Sequence, residues 1–171
     1  KSSSIFDYKK LYSLNKYFIK ELQIDDLYIE FKYLTKKFDS FDEDKLMEII
    51  EAQRDRCKTI KDIVDESQFF LSDNFDIDDK LKAKFLVDGN SQIFDVLITQ
   101  LEGENDWCLE NIQAIIEKII KSLELDTPKF AKPVRVALTG SLSSPSIDTT
   151  IYLLGKSSCL KRLKAAKTLI T

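Results

Sequence analysis

The sequence predicts an all-α fold, and three observations predict it. Apolar residues recur at three- and four-residue steps through most of the chain, the spacing that gathers them on one face of a helix. No stretch of any length alternates apolar with polar residues, as a half-buried strand would. Turn punctuation is sparse: four Gly and three Pro occur in 171 residues, fewer than the turns of an all-β domain need.

Taken in order, residues 7–22 hold Tyr8, Leu11, Tyr12, Leu14, Phe18, Ile19 and Leu22, which predict one or two short helices. A second helix is expected over 25–37. The clearest helix is expected from Phe41 to Asp65, with Leu46, Ile49, Ile50, Cys57, Ile60, Ile63 and Val64 as its stripe. Asp42, Glu43 and Asp44 suit its first turn, where the helix dipole favours anions. Ser72 to Asp76 breaks the pattern and places a boundary near residue 77. Short helices are expected at 78–86 and 91–101. Gly103 precedes a strong helix from Asp106 to Leu123, with Trp107, Ile112, Ile115, Ile116, Ile119 and Ile120 facing inward.

Pro128 and Pro133 bracket a short segment, and a helix is expected from 133 to 138. Thr139-Gly140 ends it, Gly being suited to a left-handed cap. Ser144 as N-cap and Pro145 at the first helical position predict the next helix. Gly155 stops that one, and Leu160, Leu163 and Ala166 line a last helix.

Composition narrows the function classes. The hydrophobic fraction is 43% and the charged fraction 32%, values of a folded chain rather than a disordered one. No apolar run approaches the ~20 residues that span a bilayer, and no segment reads as a signal peptide. Three Cys and no His are present. An odd Cys count argues against a disulfide framework, and no close Cys or His pairs exist to hold zinc. Without His, the commonest general base is missing. Carboxylates and Lys could still catalyse, so the enzyme reading is weakened and not closed.

Net charge is −3, unevenly spread. Residues 129–171 hold eight basic side chains (Lys129, Lys132, Arg135, Lys156, Lys161, Arg162, Lys164 and Lys167) against Asp148 alone, whereas the rest of the chain holds 18 basic and 28 acidic residues. A basic end on an acidic body suits an oriented contact with a polyanion. A solvated lysine-rich terminal helix is the commoner explanation of such a pattern.

Two places could do chemistry or recognition. Ser143-Ser144-Pro145 is read as a helix start, whose unpaired backbone N–H groups attract phosphates or base acceptors, with Arg135 just before it. An ordinary cap beside a surface arginine is the plainer reading. In the helix expected over 41–65, Arg54-Asp55-Arg56-Cys57-Lys58-Thr59 offers guanidinium donors that could read an acceptor-rich base edge, or could pair with a neighbour on a solvated face. Phe38, Phe41, Phe69, Phe70 and Phe75, and Trp107 too, are read as core before stacking platforms. Asp76, Asp78 and Asp79 lack calcium-loop spacing, and no Gly-rich phosphate loop occurs.

Ordered segments along the whole chain resemble the C-terminal part of bacterial glutamyl-tRNA synthetases. These are Lys1-Ser2, Phe6-Asp7, Lys10-Leu11, Leu14-Asn15, Tyr17 and Ile19, then Asp55-Arg56 with Lys58-Thr59-Ile60-Lys61, then Trp107 and Glu110. The most specific part is Pro133-Val134-Arg135-Val136-Ala137-Leu138-Thr139-Gly140 with Ser144-Pro145 and Leu153-Leu154-Gly155-Lys156. The resemblance implies an all-helical, two-subdomain anticodon-binding region, an α-helix cage. Residues 1–20 would be the tail of a stem-contact region, 21–77 the first anticodon-binding subdomain and 78–171 the second.

It implies Arg56 as reader of the third anticodon base, and contacts of Arg135, Ser144, Pro145 and Ile147 with the other bases. Glutamate anticodons end in C. Arg donors suit the O2 and N3 acceptors of an unpaired cytosine, whereas guanine presents donors at N1 and N2. Ser13, Cys108, Ser146 and Ile147-Asp148 depart from the family pattern.

The catalytic signatures HIGH and KMSKS are absent from the sequence, as is a nucleotide-binding fold. The implied parent is a cytoplasmic, monomeric glutamate–tRNA ligase. Its ATP and magnesium would belong to an N-terminal catalytic domain outside this chain, which itself would hold no catalytic residue, metal or cofactor. Its partner would be the tRNA-Glu anticodon loop. The alternative from another class is a helical protein-interaction module with a basic C-terminal tail.

Overall fold

The computed structural model describes residues 7–73 and 75–170, and every regular element among them is helical. The resemblance carried by Lys1 to Phe6 lies outside the described residues. The chain divides into two compact units, Lys1–Leu71 and Ser72–Thr171. Residue 77, the expected boundary, lies inside the second unit, before its first helix.

In the first unit, α1 spans Tyr8–Glu21, with the Asp7 side chain accepting from the backbone N–H of Lys9 and Lys10. It is a single helix, and α2 follows over Ile24–Leu34. Leu27, Phe31, Phe38, Leu46, Ile49, Ile50 and Ile63 are buried at the centre. Phe31 meets Phe38 edge-on at 5.2 Å between ring centres, so Phe38 is core. The turned-out side of α1 stays apolar: Tyr8, Tyr12, Leu14, Tyr17 and Phe18 are all exposed.

The helix expected over 41–65 is instead two helices, α3 at Glu43–Arg54 and α4 at Ile60–Glu66. The break is built by a reciprocal cap. Asp62 N–H donates to Thr59 Oγ1 at 3.0 Å, and Thr59 N–H donates to Asp62 Oδ2 at 3.0 Å. Lys58 N–H joins the same oxygen at 3.1 Å. This satisfies orphan donors and starts a new helix at Ile60. Cys57 still lies on the apolar side, 2% exposed, so the stripe runs through the break and periodicity alone conceals it.

The second unit holds α5 (Asp79–Phe85), α6 (Ser91–Gly103), α7 (Leu109–Ser122), α8 (Thr127–Thr139), α9 (Ile147–Leu154) and α10 (Lys156–Lys167). Phe94, Leu97, Leu101, Ile112, Phe130, Val134, Leu138, Ile151 and Leu163 are among its fully buried residues. Gly103 is the last residue of α6, and α7 begins at Leu109, not Asp106. Trp107 sits before it, half-buried, donating its indole N–H to Tyr152 O at 3.2 Å.

Two boundaries near the family signature are corrected. The helix expected at 133–138 begins six residues earlier: Asp126 is its N-cap, Pro128 lies in its first turn, and Pro133 is buried inside it. Asp-Thr-Pro is itself a start signal. The next helix begins at Ile147 with Ser146 at the N-cap, so Ser144 and Pro145 are not its cap and first residue. The Ser144 hydroxyl is committed elsewhere, as described below. Gly140 takes φ 70 at the end of α8. A Cβ there would lie 2.9 Å from Phe75 Cδ2, so both backbone and space require Gly.

Most of the C-terminal positive charge is tied to the unit's own structure. Arg162 is 3% exposed. It donates from Nε to Asp73 Oδ1 at 3.0 Å, from Nη1 to Leu138 O at 2.6 Å and from Nη2 to Ser72 O at 2.9 Å, and it lies over the Phe75 ring at 5.1 Å. Lys156 Nζ donates to the carbonyls of Glu102 and Glu104, at the end of α6. Lys161 meets Asp73, Lys164 meets Glu102, Lys167 meets Asp95, and Lys129 meets Asp126.

Candidate nucleic-acid interface

The two arginines of the Arg54-Asp55-Arg56 run have different surroundings. Arg54, the last residue of α3, donates to Ile19 O at 2.8 Å and Lys20 O at 3.2 Å, and also to Leu22 O. It therefore closes the carbonyl end of α1. Asp55 pairs with Lys20 at 2.9 Å; the hydrogen bond and charge of Lys20 hold its carboxyl below the usual range.

Arg56 stands in the α3–α4 break, not on a helix. Its Nη1 donates to Gln53 Oε1 at 2.8 Å, and its Nη2 lies 3.8 Å from Glu66 Oε2. The side chain is 28% exposed. Gln53 is 0% exposed and donates from Nε2 to Glu66 O at 2.9 Å. A guanidinium held at a turn, with fixed orientation and partial exposure, is suited to bidentate recognition of acceptors. Sequence reasoning missed Gln53, whose polar type on a core stripe was the available signal.

In the second unit, Arg135, Ser144 and Pro145 are brought together in one cluster. Arg135, half-buried on α8, donates from Nε to Ser144 Oγ at 2.8 Å and from Nη2 to Pro145 O at 3.2 Å. Ser144, 7% exposed, also shares a hydrogen bond with Thr150 Oγ1 at 3.1 Å. Thr139 Oγ1 donates to Arg135 O, and Ser141 N–H donates to Thr139 Oγ1. The cluster fixes the path of residues 140–146, and Ile147 is buried at the start of α9, 6% exposed. Leu142, Ser143 and Ser146 form the outward face of that loop.

The start of α9 already faces an anion, Asp148. Burial works to raise its pKa, but hydrogen bonds from the Ser146 hydroxyl, the Gln113 amide and the N–H groups of Thr149 and Asp148 outweigh that and hold it ionised below the usual range. Gln113 Nε2 lies 2.7 Å from Asp148 Oδ2, linking α7 to α9. A helix start facing its own carboxylate is a poor phosphate site. The oddity of Asp148 in the signature thus has a structural reason.

Burial pushes the Cys57 thiol up to about 11 and the Cys159 thiol to about 12. Neither is a thiolate near neutral pH, so neither suits nucleophilic chemistry or ready metal ligation. Among the described residues, no group of three or more His, Cys, Asp or Glu side chains is placed to hold a metal ion, and no helix is long and apolar enough to cross a membrane.

Comparison with known proteins places the fold. The glutamate–tRNA ligase of Elizabethkingia meningosepticum, solved in complex with its amino acid, superposes with a TM-score of 0.86 at 22% identity, covering 98% of this chain and 34% of that one. The Elizabethkingia anophelis glutamate–tRNA synthetase gives 0.84 at 20% identity. In sequence, the chain is 32% identical over 168 residues to the glutamate–tRNA ligase of Syntrophotalea carbinolica and 27% identical to glutamate–tRNA ligase 2 of Caldicellulosiruptor saccharolyticus. It spans about a third of the length of these relatives: 36% and 35%. The family pattern described as "Anticodon binding domain" matches residues 16–167, nearly the whole of both units, and the chain belongs to that family.

Proposed function

We propose that this chain is the anticodon-reading region of a glutamate–tRNA ligase, one that joins glutamate to tRNA-Glu at the expense of ATP. The family membership and the match to ligases three times its length support the assignment. The parent's catalytic domain would lie in the same polypeptide, N-terminal to this chain, and would bind ATP and magnesium. The part played by this chain's own residues would be recognition. The parent would act as a cytoplasmic monomer, with residues 1–20 as the tail of its stem-contact region, 21–77 as the first anticodon-binding subdomain and 78–171 as the second.

The observation that carries the reading is Arg56, oriented by Gln53 at an exposed turn. Its donors would meet O2 and N3 of the third anticodon base when that base is C, and would oppose the N1 and N2 donors of G. In the second unit, Arg135, Ser144, Pro145 and Ile147 would act on the other anticodon bases through the loop they hold, with Leu142 and Ser143 turned toward RNA. Arg135→Ala should then weaken binding of an anticodon stem-loop RNA several-fold while leaving preference at the third base intact. Unchanged affinity at both low and moderate salt would remove Arg135 from the proposal.

One observation favours the protein-interaction reading: an apolar groove of about 680 Å³ in the first unit, lined by Phe18, Leu22, Ile29, Leu34 and Ile60. That reading requires capture of an amphipathic helix together with no binding of tRNA in gel-shift or fluorescence assays at low salt.

A further inference from the structure

We infer that Gln53 is a positioning residue for base selection, an inference that rests on the reading of Arg56 given above. Gln53 lies on the last turn of α3 with no exposed surface, and a polar side chain so buried needs its hydrogen bonds. It makes two, to opposite kinds of group. Its Nε2 donates to Glu66 O at 2.9 Å, and its Oε1 accepts from Arg56 Nη1 at 2.8 Å. A carbonyl only accepts and a guanidinium only donates, so one amide orientation alone satisfies both. The end of α4 thereby fixes the amide, and the amide fixes the guanidinium.

The consequence is selectivity rather than bulk affinity. A flexible arginine loses rotamer freedom on binding and can swing to whichever acceptor a wrong base offers. A guanidinium locked through a buried amide has already lost that freedom, and it presents donors where cytosine has acceptors. The Glu66 carboxylate, 3.8 Å from Nη2 and on a side chain 42% exposed, is an ion-pair partner that supplies charge, whereas the buried amide supplies a directed hydrogen bond. Only a side chain with both a donor and an acceptor serves. Glu at 53 would set an acceptor against the Glu66 carbonyl, and Met would keep the shape with neither hydrogen bond.

The test measures binding of the 171-residue chain to two anticodon stem-loop RNAs that differ only in C or G at the third anticodon base. Three variants are compared: Arg56→Ala, Gln53→Met and the double variant. Gln53→Met should cut the C-over-G ratio by about fivefold, the effect of one lost hydrogen bond of ordinary net strength, and should add nothing to the ratio on the Arg56→Ala background. A ratio that Arg56→Ala lowers and Gln53→Met leaves alone overturns this inference and spares the reading of Arg56. A ratio indifferent to Arg56→Ala overturns both. Equal weakening toward both RNAs by Gln53→Met would mark a merely structural role and also overturns it. If Gln53→Met does not fold, the parent chain decides by NMR. The Gln53 side-chain amide signals should move more with the C-bearing RNA than with the G-bearing one, and equal or absent movement overturns the inference.

Discussion

Arg162→Met is the substitution whose cost the structure states most directly. It keeps an unbranched chain of similar length and removes the guanidinium. The carbonyls of Leu138 and Ser72 lose their donor, and Asp73 loses its buried partner. Breaking a buried ion pair from one side costs about 3–5 kcal/mol. Asp73 is 22% exposed and keeps Lys161 beside it, so solvent recovers part of that and the low end, about 3 kcal/mol, is expected. At about 4–8 °C per kcal/mol for a unit of this size, the second unit should melt about 12–24 °C earlier. Circular dichroism during heating and in urea reads this out. Asp73→Asn should cost less on the Arg162→Met background than on the parent. A loss below about 1 kcal/mol would refute the view of Arg162 as an internal strut.

Other outcomes follow from the same contacts. Replacing Lys161, Lys164 and Lys167 together by Ala should leave the dependence of RNA affinity on salt nearly unchanged, because these cations face Asp73, Glu102 and Asp95; each real phosphate contact would take about 0.7–0.9 from the log–log slope, and a drop of about two would reinstate the basic-tail reading. Acid should destabilise the second unit through Asp73 and Asp148. For Asp73, burial raises the pKa, but hydrogen bonds from Arg162, Ser158 and Lys161 outweigh it, so its folded pKa, like that of Asp148, lies below 3.8. Carboxyls depressed in the folded state contribute stability that is present above their unfolded pKa and is lost as pH falls through the folded one. Unfolding free energy should therefore decline from about pH 4 downward, and Asp148→Asn should flatten the decline; an unaltered profile would count against the Gln113–Asp148 link.

The helical class was legible because apolar spacing is set by the helix itself. The caps show where that legibility stops. Thr59 and Asp62 split one apparent helix in two while Cys57 keeps the apolar stripe continuous, so the signal lay in the capping pair and not in the period. Ser144-Pro145 reads as a helix start from residue type, yet Arg135 and Thr150 engage the Ser144 hydroxyl, and the cap passes to Ser146. Charge counting exposed the basic end but not its destination, since the acids that meet Lys164, Lys167 and Arg162 lie about 60 to 90 positions earlier in the chain. Arg54 and Arg56 looked alike in sequence. Only the fold separates the one that closes α1 from the one left at the turn.

The proposed function stands or falls on whether Arg56 reads the third anticodon base. The direct measurement is the affinity of the parent chain and of Arg56→Ala for anticodon stem-loop RNAs carrying C or G at that position, at one fixed salt concentration. The parent should prefer C by about 1–3 kcal/mol, and Arg56→Ala should lose most of that preference while general RNA binding persists. The same ratio in both proteins would contradict this role for Arg56.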